Sequence, residues 1–163
     1  MAVHIHPLDI PPKFYKPLGQ VIAGWNLTET LLASIIWHIH GITDPKQGRV
    51  FTYRPTAAEK LKMFAVSIIG FVDDAAMQRE LTALKNRAYQ MNDKRNLLAH
   101  GLWGRLRKDK DWKLFSVKDS DAATHLLKRK IMTVSDVAAI AQEIRALNSD
   151  LKQFMARNRI PPP

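Results

Sequence analysis

The chain has 163 residues, with 25 Lys/Arg against 15 Asp/Glu, a net charge of +10 and no cysteine. That length supports one domain with a real core, and the missing cysteine excludes disulfides, thiolate nucleophiles and cysteine-based zinc sites. The positive balance favours a polyanionic partner, nucleic acid ahead of an anionic membrane.

Residues 1 to about 16, with Pro7, Pro11 and Pro12, read as an irregular N-terminal arm. The start, Met1 to His6, lacks the basic and apolar regions of a signal peptide. No apolar run approaches the ~18 residues of a membrane span, so a cytoplasmic protein without a membrane partner is expected. Pro17 suits the first turn of a helix. From there Leu18, Val21, Ile22, Trp25, Leu32, Ile35, Ile36 and Ile39 share one face, and Gly41 ends the element. Residues 42 to 55 read as a polar loop. Thr56-Ala57-Ala58-Glu59 is a capping box that opens a second helix through Leu61, Phe64, Ala65, Ile68 and Ile69. Gly70 and Asp73-Asp74 mark its end and the next start.

The third helix has the clearest period. Met77, Leu81, Leu84, Ala88, Met91, Arg95 and Leu98 alternate steps of four and three, which keeps one stripe toward a partner. His100 falls in its last turn, with Gly101 placed to cap it. Two short runs, Leu102 to Arg107 and Trp112 to Val117, flank Lys108-Asp109-Lys110-Asp111 and suggest a β-hairpin over about 102–117. A basic connection containing Lys128-Arg129-Lys130 follows. The last helix starts near Thr133 to Asp136, with Val137, Ile140, Ile144, Leu147, Leu151 and Phe154 as its stripe. Residues 158–163 read as a C-terminal tail, frayed at Pro161 to Pro163. Four amphipathic helices must bury their stripes against one another, and the simplest solution is an all-α, up-and-down four-helix bundle with the hairpin inserted before the last helix.

Two charges interrupt the apolar stripes: Arg95, between Met91 and Leu98, and Glu29, between Trp25 and Leu32. A charge facing a core needs a partner or a cleft. Glu29 and Arg95 would pair if their helices pack side by side. Asn96 and His100, spaced i, i+4, share a helix face, and Arg95 is rotated about 100° from Asn96. A guanidinium binds two phosphate oxygens with its planar fork, and an imidazole moves protons near neutral pH. From Trp103 to Lys130 nine Lys/Arg face four Asp/Glu. Arg105, Arg107, Lys108, Lys110 and Lys113 lie there beside Trp103 and Trp112, cations near rings that suit single-stranded RNA. His4/His6 and His38/His40 lack a third evident ligand, so no metal is expected, and no phosphate-cradling or serine-hydrolase motif appears.

The segment Lys94-Arg95-Asn96-Leu97-Leu98-Ala99-His100-Gly101-Leu102-Trp103 resembles the signature of the HEPN superfamily, an arginine and a histidine flanking four to six residues with a polar residue after the arginine. The helical frame from about residue 17 to 157 is loosely similar to the helical core of that superfamily. The resemblance implies a dimeric, metal-independent endoribonuclease of toxin or defence type, needing no cofactor, with a protein antitoxin as a further partner. In it Arg95, Asn96 and His100 form the catalytic set, and Glu29 matches the polar residue many such proteins carry on the first helix, ahead of Asn26 and Thr28. Some HEPN proteins do not cleave RNA, and the alternative expectation is a non-catalytic nucleotide- or partner-binding dimerisation module. A third reading, from the residues alone, makes Arg95 and Glu29 a structural lock.

Overall fold

A computed structural model describes residues 10–54, 56–100, 102–104, 113–116 and 128–162, and between 100 and 131 the backbone alone. After a 3-10 turn at Pro12–Phe14, five helices follow: α1 (Tyr15–Ile39), α2 (Pro45–Thr52), α3 (Ala57–Phe71), α4 (Ala75–His100) and α5 (Val134–Arg157). The core is built from these helices. Trp25, Ile35, Phe64, Leu81, Ile144 and Phe154 are among its fully buried members.

The helix starts follow local chemistry. Thr56 and Glu59 form a reciprocal capping box at α3, and Thr133 and Asp136 do so at α5. Asp74 accepts from the backbone N–H of Met77 at the head of α4. Gly41 takes φ +65° after α1, a left-handed turn that glycine adopts without strain.

Several expectations need correction. The segment 42–55 is not all loop. Asp44 caps α2 by accepting from Lys46, Pro45 supplies the first turn, and Gly48 lies so close to Trp37 that an added Cβ would sit 2.5 Å from its ring. The indole N–H of Trp37 donates to Thr52 Oγ1 at 3.0 Å and fastens α2 to α1. Helix α1 begins at Tyr15, two residues before Pro17. Ile22 and Ile69, assigned to buried stripes, are 37% and 76% exposed, because no neighbouring helix covers their edge of the stripe. In the C-terminal tail the chain turns back at Asn158 and Arg159, and Ile160 is buried in the core.

Helix directions come from the contacts. Arg87–Asp150 and Lys94–Glu143, both at 2.5 Å, and Glu80–Arg157 run in opposite order along α4 and α5, so that pair is antiparallel. These bridges are half-exposed, and each contributes at most about 1 kcal/mol. Their use is to hold register. Between α1 and α3 the contacts Glu29–Lys60 and His40–Ser67 advance in the same direction, so these two helices do not alternate in the up-and-down sense. The chain returns between them through α2.

Helices α1 and α5 pack closely at Gly24, where an added Cβ would lie 2.9 Å from Ile144 Cγ2. Beside it, Asn148 Nδ2 donates to the Gly24 carbonyl at 2.8 Å, and the buried Thr28 hydroxyl lies 2.7 Å from Asn148 Oδ1. Gly24→Ala is therefore expected to lose about 1–2 kcal/mol, the overpacking outweighing the better helix propensity of alanine. Urea denaturation reads the change, and an unaltered midpoint would contradict the close approach.

Beyond α4 the backbone forms a three-stranded antiparallel sheet, β1 (Leu102–Gly104), β2 (Lys113–Ser116) and β3 (Lys128–Ile131), with β2 in the middle. Leu102 pairs with Phe115 across the first ladder, and Phe115 with Arg129 across the second. The basic connection read from the sequence is thus partly the strand β3. Residues 105–112, which would form the turn of the expected hairpin, lie outside the described residues.

Candidate active site

Helix α4 carries the Arg95–His100 segment at its C-terminal end, between the antiparallel α5 and the start of β1. Its stripe packs as the period requires: Leu81, Leu84, Ala88, Met91 and Leu98 are buried. Arg95, in the same stripe, is half-buried. Its Nη1 donates to Oδ1 of Asn96 at 2.8 Å, so the two residues engage each other. The Arg95 Nε is buried and has no hydrogen-bond partner among the described residues. The Asn92 side-chain oxygen is likewise buried and without a partner there. An unpaired buried polar atom costs about 1–3 kcal/mol.

Asn92 was not singled out from the sequence. It is four residues after Ala88 and three before Arg95, on the flank of the stripe, and is only 4% exposed. The available signal was that spacing: a polar amide one turn before a core arginine.

His100 closes α4. Its side chain lies outside the described residues, as do those of Lys113 and Trp103. Arg105, Arg107, Lys108, Lys110 and Trp112 are outside them altogether.

Glu29 is placed differently from the expectation. It does not pair with Arg95. One carboxylate oxygen accepts from the indole N–H of Trp25 at 2.6 Å, and the other meets the ammonium of Lys60 at 2.5 Å. The reason is geometric: the same-direction packing of α1 and α3 puts the first turn of α3 beside the middle of α1. Thr28 serves the structural bond to Asn148, and Asn26 is exposed. His40 is also structurally engaged, its Nε2 2.9 Å from Ser67 Oγ and its ring against Phe51 and Phe71. Among the described residues no cluster of three or more His, Asp or Glu is arranged to hold a metal ion, and no helix is long and apolar enough to cross a membrane.

A cleft of about 990 Å³ opens along α1, α2, the first turn of α3 and the Pro161-Pro162 tail. Glu29, Lys60 and Asn26 line it, and Arg95 does not. The chain thus has two separate polar features, the end of α4 and this cleft. Of the four residues expected to form one catalytic set, Arg95 and Asn96 are joined, His100 shares their helix, and Glu29 belongs to the cleft.

No family model, curated protein or solved structure matches this chain.

Proposed function

We propose that the chain is a HEPN-like, metal-independent endoribonuclease whose chemistry is carried by Arg95 and His100 at the end of α4. The observation supporting this reading is the buried Nε of Arg95, which, like the side-chain oxygen of Asn92 one turn earlier, has no hydrogen-bond partner among the described residues. A fold keeps such a cost most readily where it serves a site. Asn96 holds Nη1 of the same guanidinium, fixing the orientation of its remaining donors.

In the proposed reaction the 2′-oxygen of RNA attacks the adjacent phosphorus while His100 takes its proton. The bond from phosphorus to the 5′-oxygen breaks, and that oxygen receives a proton from a general acid, for which the reading uses His100 of the partner subunit in a homodimer. Arg95 stabilises the charge on the phosphorane. The products are a 2′,3′-cyclic phosphate and a free 5′-hydroxyl. Glu29 takes no part, its carboxylate being engaged by Trp25 and Lys60. The basic residues Arg105, Arg107, Lys108, Lys110 and Lys113 hold the strand, and a protein antitoxin is the expected inhibitor of a toxin of this type.

The burial of Arg95 Nε also favours a second reading, a non-catalytic module of the same kind that binds a nucleotide or a partner protein. One panel separates the two. In EDTA, the purified protein is expected to cut single-stranded RNA, and to bind DNA and 2′-O-methyl RNA without cutting either. Binding should weaken steeply with salt. Intact RNA would support the binding module, and cut DNA would refute the internal nucleophile.

A further inference from the structure

The cleft between α1 and α2 is at the upper end of the size range of small-molecule sites, about 300–1,000 Å³, and its lining is uneven in charge. Arg49, Arg54 and Lys60 line it against a single acid, Glu29. Lys60 and Glu29 are bound to each other at 2.5 Å, which leaves the two guanidinium groups uncompensated within the lining. Arg54 Nη1 spends hydrogen bonds on the carbonyls of Phe51 and Tyr53, and Arg49 Nε on that of Pro45. Each group keeps further N–H donors, since a guanidinium has five. Three aromatic rings stand in the same lining, those of Trp37, His38 and Tyr53. Trp37 is pinned by its bond to Thr52 and by the close approach of Gly48. Tyr53 is 74% exposed, a large exposed ring between two arginines in sequence. Asn26 adds an amide with both a donor and an acceptor.

Guanidinium groups in one lining suit a phosphate, and rings with an amide edge suit a flat heterocycle that carries hydrogen-bonding groups. We infer that this cleft binds a nucleotide, either free or as one unit of a single strand, with Arg49 and Arg54 on the phosphate and Tyr53 and Trp37 against the base. The site is separate from the end of α4, and the inference stands whether or not His100 cleaves RNA.

The test is equilibrium binding to the full chain, followed by fluorescence and by the indole N–H resonance of Trp37, assigned with Trp37→Phe. The four 5′-mononucleotides, adenosine, inorganic phosphate and a 2′-O-methyl RNA pentamer are the probes. At least one mononucleotide or the pentamer is expected to bind about tenfold or more tightly than adenosine or phosphate alone, and to shift the Trp37 signal. Arg49→Gln with Arg54→Gln should weaken that binding about tenfold, as expected for lost charge-assisted bonds. Tyr53→Ser should weaken adenosine as well, whereas His100→Ala should change nothing at this site. Saturation by a mononucleotide that the pentamer cannot displace identifies a free nucleotide as the ligand. Tighter binding of the pentamer identifies a strand. Failure of every probe to bind at millimolar concentration, or wild-type affinity in the double arginine variant, would overturn the inference.

Discussion

His100→Ala is expected to lower RNA cleavage by about 10²–10⁴-fold, the usual contribution of a general base, and to leave the melting temperature unchanged. The substitution falls in the last residue of α4, two positions past Leu98, the last buried member of the stripe. Arg95 supplies the sharper comparison. Arg95→Met keeps the length and apolar stem of the side chain and removes the guanidinium. Cleavage is expected to fall by a similar factor, since the positive charge at the phosphorane goes with it. Stability is expected to hold or to rise by about 1 kcal/mol. Among the described residues the variant loses one hydrogen bond, to Asn96, worth about 0.5–1.5 kcal/mol, and removes a buried donor that has no partner there and costs about 1–3 kcal/mol. A structural lock behaves in the opposite way, because breaking a buried pair typically costs about 3–5 kcal/mol. Parallel cleavage assays and thermal melts of both variants decide the matter. A large fall in stability for Arg95→Met would make the arginine a lock, and unchanged cleavage by His100→Ala would remove the imidazole from the reaction.

Trp25→Ala is expected to destabilise the fold by about 3–5 kcal/mol, which for a domain of this size corresponds to roughly 10 °C in melting temperature. Trp25 is fully buried in α1, and its indole N–H holds Glu29 at 2.6 Å. Truncation opens a cavity and frees one carboxylate oxygen at the wall of the cleft. Trp25→Phe helps to separate the two effects: it keeps a buried aromatic ring and loses the donor with a smaller loss of volume, for about 1–2 kcal/mol. Urea titration gives both values from the midpoint shifts, provided the slope is unchanged. Equal losses for the two variants would mean that the hydrogen bond, and not the packing, carries the contribution of Trp25.

Arg95 does interrupt the apolar stripe of α4, and Asn96 engages it at 2.8 Å. The expected partner Glu29 is absent from that site, because its carboxylate meets a lysine thirty-one positions away on α3. Periodicity identifies a charge that needs a partner and says nothing about which helix brings one. Asn92 escaped notice for a related reason: its burial depends on how wide a band of α4 its neighbours cover, and spacing alone sets only the centre of that band.

Local order was legible because its causes span at most four residues. The capping boxes at Thr56 and Thr133, the turn at Gly41 and the stripe of α4 all arise from neighbours within one helical turn. Helix direction, the cover over Ile22 and Ile69, the return of Ile160 to the core, and the cleft with its two arginines arise where distant segments meet. Those depend on how the helices and the C-terminal segment share a limited volume. Only the packed chain settles that competition, since each contact there is chosen against alternatives that a single segment does not contain.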